Sequence, residues 1–366
     1  MKTMKKHYLD NIRWMTVVLV VLYHVVYMYN GIGIPGVAGK ITDAEVQYID
    51  LFQYIVYPWF MALLFIVSGI CARFALQKYT EKEFLRKRTV KLLVPSTIGL
   101  FVFQFIQGYI NMELSGMAFE SIKDVPGPVK FVIMCVSGTG ALWYIQMLWV
   151  FSVLLVFIRR FEKDRLWKMG GKTGIPALVL TAVPVYLAAQ VLNTPVIVVY
   201  RFGLYGFVFF FGYFVLSHEE VIAKLRKWSL PLAAAAAALC AAFCIRYFGQ
   251  VYADVPVNRS VLFTGFCWSG CLAVLGIMAE YGDFENGLTR WMGKRSFGLY
   301  IFHYLGISAF ALYIGRKGLM PAPAVYFLTM VSGFAAGYIL NAVISAIPFL
   351  RWAVLGIEKE KRDRHV

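Results

Sequence analysis

The chain has 366 residues, of which 60% are hydrophobic and 17% aromatic, and only 15% carry charge, against roughly 25% in a soluble domain. This excludes an ordinary soluble fold, and the net charge of +16, from 36 Lys and Arg against 20 Asp and Glu, reads as a cytoplasmic membrane face rather than a nucleic-acid partner. The six cysteines lie in or beside apolar runs with no C-x-x-C spacing, so neither a disulfide framework nor a zinc site is implied.

Met1 to Arg13 is basic and leads into an apolar run that reaches about Asn30 without a small-residue cleavage site, as a retained first helix does. Further apolar runs long enough to cross a hydrocarbon core follow at 51–76, 90–111, 141–158, 174–191, 196–216, 229–248, 259–280, 297–315 and 323–347. The expected fold is therefore all-α, a polytopic integral membrane protein of about ten transmembrane helices. Alternating the spans from a cytoplasmic N-terminus leaves outside only Lys40, Lys123, Lys130, Arg201, Arg246, Arg259, Arg316 and Lys317. All other Lys and Arg then face the cytoplasm, as the positive-inside rule requires, and both termini are cytoplasmic. The chain reads as one multi-pass membrane domain, 1–366, with a short basic tail from about 348. Ala233 to Ala238 and the pair Gly333 and Gly337 place small residues inside spans, where they let helices approach closely.

Ionisable side chains at membrane depth are costly and mark function by default. His24 and His303 are the two histidines inside spans, while His7, His218 and His365 fall in cytoplasmic segments. No Asp or Glu occupies a span centre, so a proton or cation relay built on carboxylates has no visible parts. In the first span Arg13 and His24 are 11 positions apart, which returns them to within about 20° of one helix face at different depths. There a guanidinium at the interface could hold phosphate and an imidazole could accept a proton. In the ninth span Ser296, Tyr300 and His303, at i, i+4 and i+7, form one polar stripe. Arg86, Arg88 and Lys91, with Lys87 between, gather cations before the third span, and Arg73 near the end of the second could join them around a multiply phosphorylated ligand. Arg201 near the outer end of the sixth span either snorkels or holds an acceptor in an outer cavity. Trp143, Tyr144, Gln146 and Trp149 open the fourth span, where an aromatic belt is expected. No Walker loop, G-x-G-x-x-G, G-x-S-x-G or H-E-x-x-H motif occurs.

Taken together, these segments resemble the acyltransferase-3 family of integral membrane acyltransferases. Tyr8-Leu9-Asp10-Asn11-Ile12-Arg13 followed by His24 is similar to the family's Arg-x10-His first helix, and Phe65-Ile66-Val67-Ser68-Gly69 to its Ser-Gly motif. Arg86 to Pro95 is similar to its basic stretch, Leu142-Trp143-Tyr144-Ile145 to its Leu-Trp-aromatic element, and Ser296 to His303 to its late Ser-Tyr-x-x-Tyr-x-x-His motif. Lys91 stands where the family commonly has a second Arg, which keeps charge and loses bidentate geometry.

The resemblance implies an acyl-CoA donor bound from the cytoplasm, an acetyl or succinyl group delivered to a hydroxyl of a carbohydrate or cell-envelope acceptor, and no metal. It implies His24 as general base or acyl-handling residue, with Arg13 and His303 beside it as catalytic residues. Arg86, Arg88, Lys91 and Arg73 are the expected CoA-binding set, and Trp143, Tyr300 and Arg201 the expected acceptor contacts. A bacterial-type inner or plasma membrane is the expected location. The competing reading is a secondary transporter exporting an anionic metabolite past Arg13, Arg73 and Arg201, against which stand the absent membrane carboxylates.

Overall fold

The computed structural model describes residues 6–34, 36–116, 119–122, 124–194 and 199–358, so that Lys2, Lys5, Lys123 and the basic tail from Lys359, with His365, lie outside the described residues. The described chain is helical with no named strand. Helix α1 (His7–Met28) is followed by a long loop and α2 (Phe60–Lys78), and α2 extends a short helix, Leu51–Val56, across a break at Pro58. Then come α3 (Glu81–Leu114), α4 (Gly127–Ser137), α5 (Trp143–Glu162), α6 (Ile175–Gln190), α7 (Phe202–Phe214) and α8 (Glu219–Lys227). The C-terminal part is α9 (Ser229–Tyr247), α10 (Val261–Tyr281), α11 (Gly287–Tyr313), α12 (Ala322–Ala346) and α13 (Pro348–Leu355).

Eight helices among the described residues are long and apolar enough to cross a membrane, at eight of the ten expected places. The other two expected spans are shorter. In α6, which breaks at Thr181, Pro184 removes an interior backbone donor, while Pro176 sits harmlessly in the first turn. Helix α7 has 13 residues and turns by 106° into the amphipathic α8. At 1.5 Å per residue, α7 covers only about 20 Å of a roughly 30 Å core. Residues 196–198 of its expected span lie outside the described ones. Helix α4 was not expected from sequence. It packs on the end of α3, where a Cβ at either Gly108 or Gly138 would strike the facing backbone.

Close approach is set by glycine at the central crossing too. A Cβ on Gly69 of α2 would overlap the Phe209 carbonyl, and one on Gly212 of α7 would overlap that of Ile66, so these helices meet backbone to backbone. Gly333 and Gly337 of α12 instead make room for the side chains of Ile307 and Leu299 of α11. Helix α3 stays continuous through two π-helical turns, Thr89–Leu93 and Leu100–Gln104, flanking Pro95, which donates no hydrogen bond. Side chains of α5 support this stretch, since Gln146 donates to the Ser96 carbonyl at 3.0 Å and Trp149 to the Thr89 hydroxyl at 3.0 Å.

Helix α1 is held at both ends. Asn11 donates to the Gly282 and Phe284 carbonyls at 2.7 and 2.8 Å, and the Tyr8 amide donates to Asp283 at 3.0 Å. At the far end Tyr29 and Thr329 share a hydroxyl hydrogen bond of 2.7 Å. The buried Asp50 carboxylate gathers the Gly31 amide, Gln47 and Gln53, pinning the loop after α1 to the bundle.

Candidate active site

Helices α1 and α11 lie side by side and bring the two intramembrane histidines together. His24 Nδ1 is 2.8 Å from the Val20 carbonyl and 3.1 Å from His303 Nε2, and His303 Nδ1 is 3.0 and 2.9 Å from the carbonyls of Leu299 and Tyr300. A carbonyl only accepts, so both Nδ1 atoms carry hydrogen. In the neutral pair His303 Nε2 therefore accepts from His24 Nδ1–H, and His24 Nε2 keeps its lone pair with no partner among the described residues. His303 is fully buried, whereas His24 keeps accessible surface.

His24 is ringed by Tyr304 at 5.0 Å between centroids and Tyr27 at 5.9 Å. His24, Tyr27, Tyr57, Tyr304 and Arg88 are enclosed by protein on all sides, yet each retains accessible surface, so they border internal space rather than packed core. A chain of rings leads from the pair toward the end of the bundle that holds Arg13 and Arg88: His303 to Tyr300 at 6.4 Å, then Tyr300 to Tyr144 at 5.9 Å. Tyr144 shares a hydrogen bond of 3.0 Å with Ser68 and is within electrostatic reach of Arg13, Arg88 and Cys71. Ser68 and Gly69 thus do different work, one holding Tyr144 and the other admitting α7.

Arg13 pairs with Asp10 at 3.1 Å, three residues away on the same helix, and both side chains stay about 40% exposed, an arrangement worth little on its own. Its guanidinium is within electrostatic reach of Arg88, which lies over the Phe84 ring and has no carboxylate partner among the described residues. Beside Arg13, a pocket of about 360 Å3 between α1 and α11 has Arg290, Lys294 and Ser296 in its wall, together with Asp10 and with Glu285, which pairs with Arg290 at 3.6 Å. Arg13, Arg290 and Lys294 at this mouth, with Arg88 within electrostatic reach of Arg13, suit a phosphorylated ligand. Among the described residues, no three His, Cys, Asp or Glu side chains converge as a metal cage requires.

The expected residues are not all gathered here. Arg13, His24, Arg88, Tyr300 and His303 share one internal path. Arg73 is instead bound to Asp164 at 2.6 Å and to the Tyr213 hydroxyl at 3.2 Å, and it lies 3.9 Å over Trp167. Arg86 is exposed and pairs with Glu358 at 3.3 Å. Lys91 donates to the Leu355 carbonyl at 3.1 Å and sits 3.8 Å over Phe297, tying α3 to the end of α13. Tyr300 donates to the Ala141 carbonyl, and Trp143 packs between Phe65 and Tyr205. Arg201 caps the start of α7 and is buried. Sequence reasoning passed over Arg290 and Lys294, which looked like ordinary positive-inside charge, and Tyr27 and Tyr304. A phenol three positions after His24 and another directly after His303 were the available signals.

A family model described as an acyltransferase domain, that of the acyltransferase-3 family, matches residues 6–342. No curated protein and no solved structure matches the chain.

Proposed function

The chain belongs to the acyltransferase-3 family of membrane acyltransferases, and from that premise we propose that it transfers an acetyl or succinyl group from acyl-CoA to a hydroxyl of a carbohydrate or other cell-envelope acceptor. The observation that carries the proposal is the free Nε2 of His24, held by His303 on a path that opens toward Arg13 and Arg88. The proposal puts the protein in the cell membrane with both termini in the cytoplasm, on the strength of the excess of Lys and Arg on that side in the sequence, so that the donor enters at the basic end.

In this reading the CoA phosphates rest among Arg13, Arg88, Arg290 and Lys294, while the thioester reaches inward toward His24. His24 Nε2 takes the proton of the acceptor hydroxyl as its oxygen bonds to the thioester carbonyl carbon. The tetrahedral intermediate collapses with cleavage of the carbon–sulfur bond, and the proton on Nε2 passes to the departing CoA thiolate. A thioester is already activated, so the protein's main tasks are to hold the base, to stabilise the oxyanion and to exclude water. His303 stabilises the transient imidazolium by accepting its Nδ1 hydrogen. The phenols of Tyr27 and Tyr304 are the donors nearest to hand for the oxyanion.

Titrating CoA, acetyl-CoA and succinyl-CoA into the purified protein in detergent tests this. Binding in the micromolar range that an Arg13→Ala, Arg88→Ala variant loses supports the donor site. Acyl transfer or slow thioester hydrolysis absent from a folded His24→Ala variant supports the base. A wild-type protein that binds no acyl-CoA, or a His24→Ala protein of normal activity, overturns the reading.

A further inference from the structure

Arg201 is 1% exposed, and its guanidinium has a single described partner, the Asn258 carbonyl at 2.6 Å from Nη2. Its Nε and Nη1 atoms are buried with no hydrogen-bond partner, and no carboxylate among the described residues forms an ion pair with it. Asp254, exposed in the loop before α10, is within electrostatic reach of Tyr57 but makes no ion pair with Arg201. A buried cation with unsatisfied donors is costly to maintain without an anion. Its position raises that cost, because Arg201 occupies the N-cap of the 13-residue α7, where the positive end of the helix dipole adds to its own charge.

What surrounds this cation is suited to a polyol. Tyr57 and Tyr205 lie within electrostatic reach of the guanidinium, and Phe263 packs 5.0 Å beneath it. From Tyr57, stacked rings lead to Tyr23 at 5.9 Å and on to Tyr27 at 5.7 Å, and Tyr27 borders His24 at 5.9 Å. Tyr23 and Tyr252 are committed to each other and to Gln53, whereas the hydroxyls of Tyr27, Tyr57 and Tyr205 have no partner among the described residues.

We infer that Arg201 is an anion subsite for the acceptor, which is a hydroxylated, sugar-like molecule bearing a carboxylate or phosphate; its anionic group sits on Arg201 while a hydroxyl across Tyr57 and Tyr27 meets His24 Nε2. This rests on the acyl-transfer reading for the identity of the reaction, but the anion subsite is measurable without turnover.

The test titrates glucuronate, glucose 6-phosphate and glucose into the full-length protein in detergent, with wild type, Arg201→Gln and Arg201→Lys, and follows calorimetric heat and thermal stabilisation. The wild type should bind one of the two anionic sugars at least about tenfold more tightly than glucose, and which one it prefers separates a carboxylate from a phosphate ligand. Arg201→Gln should lose that preference and Arg201→Lys keep part of it, with CoA binding retained as the sign of a folded variant. If Arg201→Gln does not fold, the wild-type preference and the Arg201→Lys protein decide. Equal affinity for the three sugars, binding of none in the millimolar range, or an anionic preference that survives Arg201→Gln overturns the inference. Failure of wild type to bind acyl-CoA would instead strike the proposed function and leave the sugar titrations standing.

Discussion

His303 Nε2 lies 3.1 Å from His24 Nδ1, and because His303 Nδ1–H is committed to two carbonyls on its own helix, His303 can only accept from its neighbour. The pair therefore has a direction: His24 Nε2 keeps its lone pair, and in the proposed reaction it is the proton acceptor, with His303 the residue that holds it. We expect His24→Ala to lower kcat by about 10^2 to 10^4-fold. His303→Phe should lower kcat less, by about tenfold to a hundredfold, with KM for acyl-CoA unchanged, and His303→Gln, which keeps an acceptor oxygen, should recover part of the loss. Since a protonated His24 cannot take a proton, kcat/KM should fall as pH falls through its titration. Equal losses in His303→Phe and His303→Gln would remove this role.

The four cations expected to hold CoA separate cleanly in the structure. Arg88 is enclosed with no carboxylate partner, Arg86 is exposed against Glu358, and Lys91 is spent on the Leu355 carbonyl. Arg88→Ala should weaken CoA binding by about tenfold and flatten its salt dependence. Arg86→Ala should change affinity by no more than about twofold. Lys91→Ala should show itself as faster hydrogen exchange in α13 before it shows in affinity. A large affinity loss confined to Arg86→Ala would reverse the assignment.

Apolar run length and the pairing of Arg13 with His24 on one face made the long helices and the core of the site legible in the sequence. What periodicity could not supply was partnership between distant segments. Nothing in the spacing of residues 8–24 and 296–303 sets α1 against α11, because each helix shows a polar face of its own and periodicity does not say which two faces meet. For the same reason Arg73 and Arg88 looked equivalent, although one found Asp164 and the other did not. Helix α4 went unseen because its 11 residues are too few to cross a bilayer and its place is fixed by two glycines, Gly108 and Gly138, whose value appears only when the backbones meet.

Gly69 offers a stability test that bears on the site indirectly. Any Cβ there overlaps the Phe209 carbonyl, backbone that cannot swing aside as a side chain can. Gly69→Ala should force α2 and α7 apart and cost about 3 kcal/mol, read as a lowered Tm of the detergent-solubilised protein. The neighbouring Ser68→Ala, which removes only the hydrogen bond to Tyr144, should cost about 1 kcal/mol. Similar Tm values for the two variants would show that the crossing tolerates a methyl group and that the close approach is not required.

Arg73 provides the control that separates charge in the wall from charge in the site. Its side chain is 9% exposed, its ion pair with Asp164 is 2.6 Å long, and its guanidinium lies flat enough on Trp167 to come within 3.9 Å of the ring centre. Trp167 in turn stacks on His218 at 4.2 Å and donates to Ser217 at 3.0 Å, so Arg73 keys the turn before α8 to the end of α2. Asp164 adopts a left-handed backbone, φ +61°, directly after Lys163 at φ +49°, a conformation that needs a partner to hold it. Removing Arg73 leaves Asp164 39% exposed and able to solvate, which reduces the loss below that of a fully buried pair. We therefore expect Arg73→Ala to cost about 2 kcal/mol of stability and to raise proteolytic cleavage between α5 and α6. The affinity for acyl-CoA of the fraction that remains folded should be unchanged. A variant of normal Tm that has lost CoA binding would place Arg73 in the donor site after all, and with it a donor path on the far side of α2.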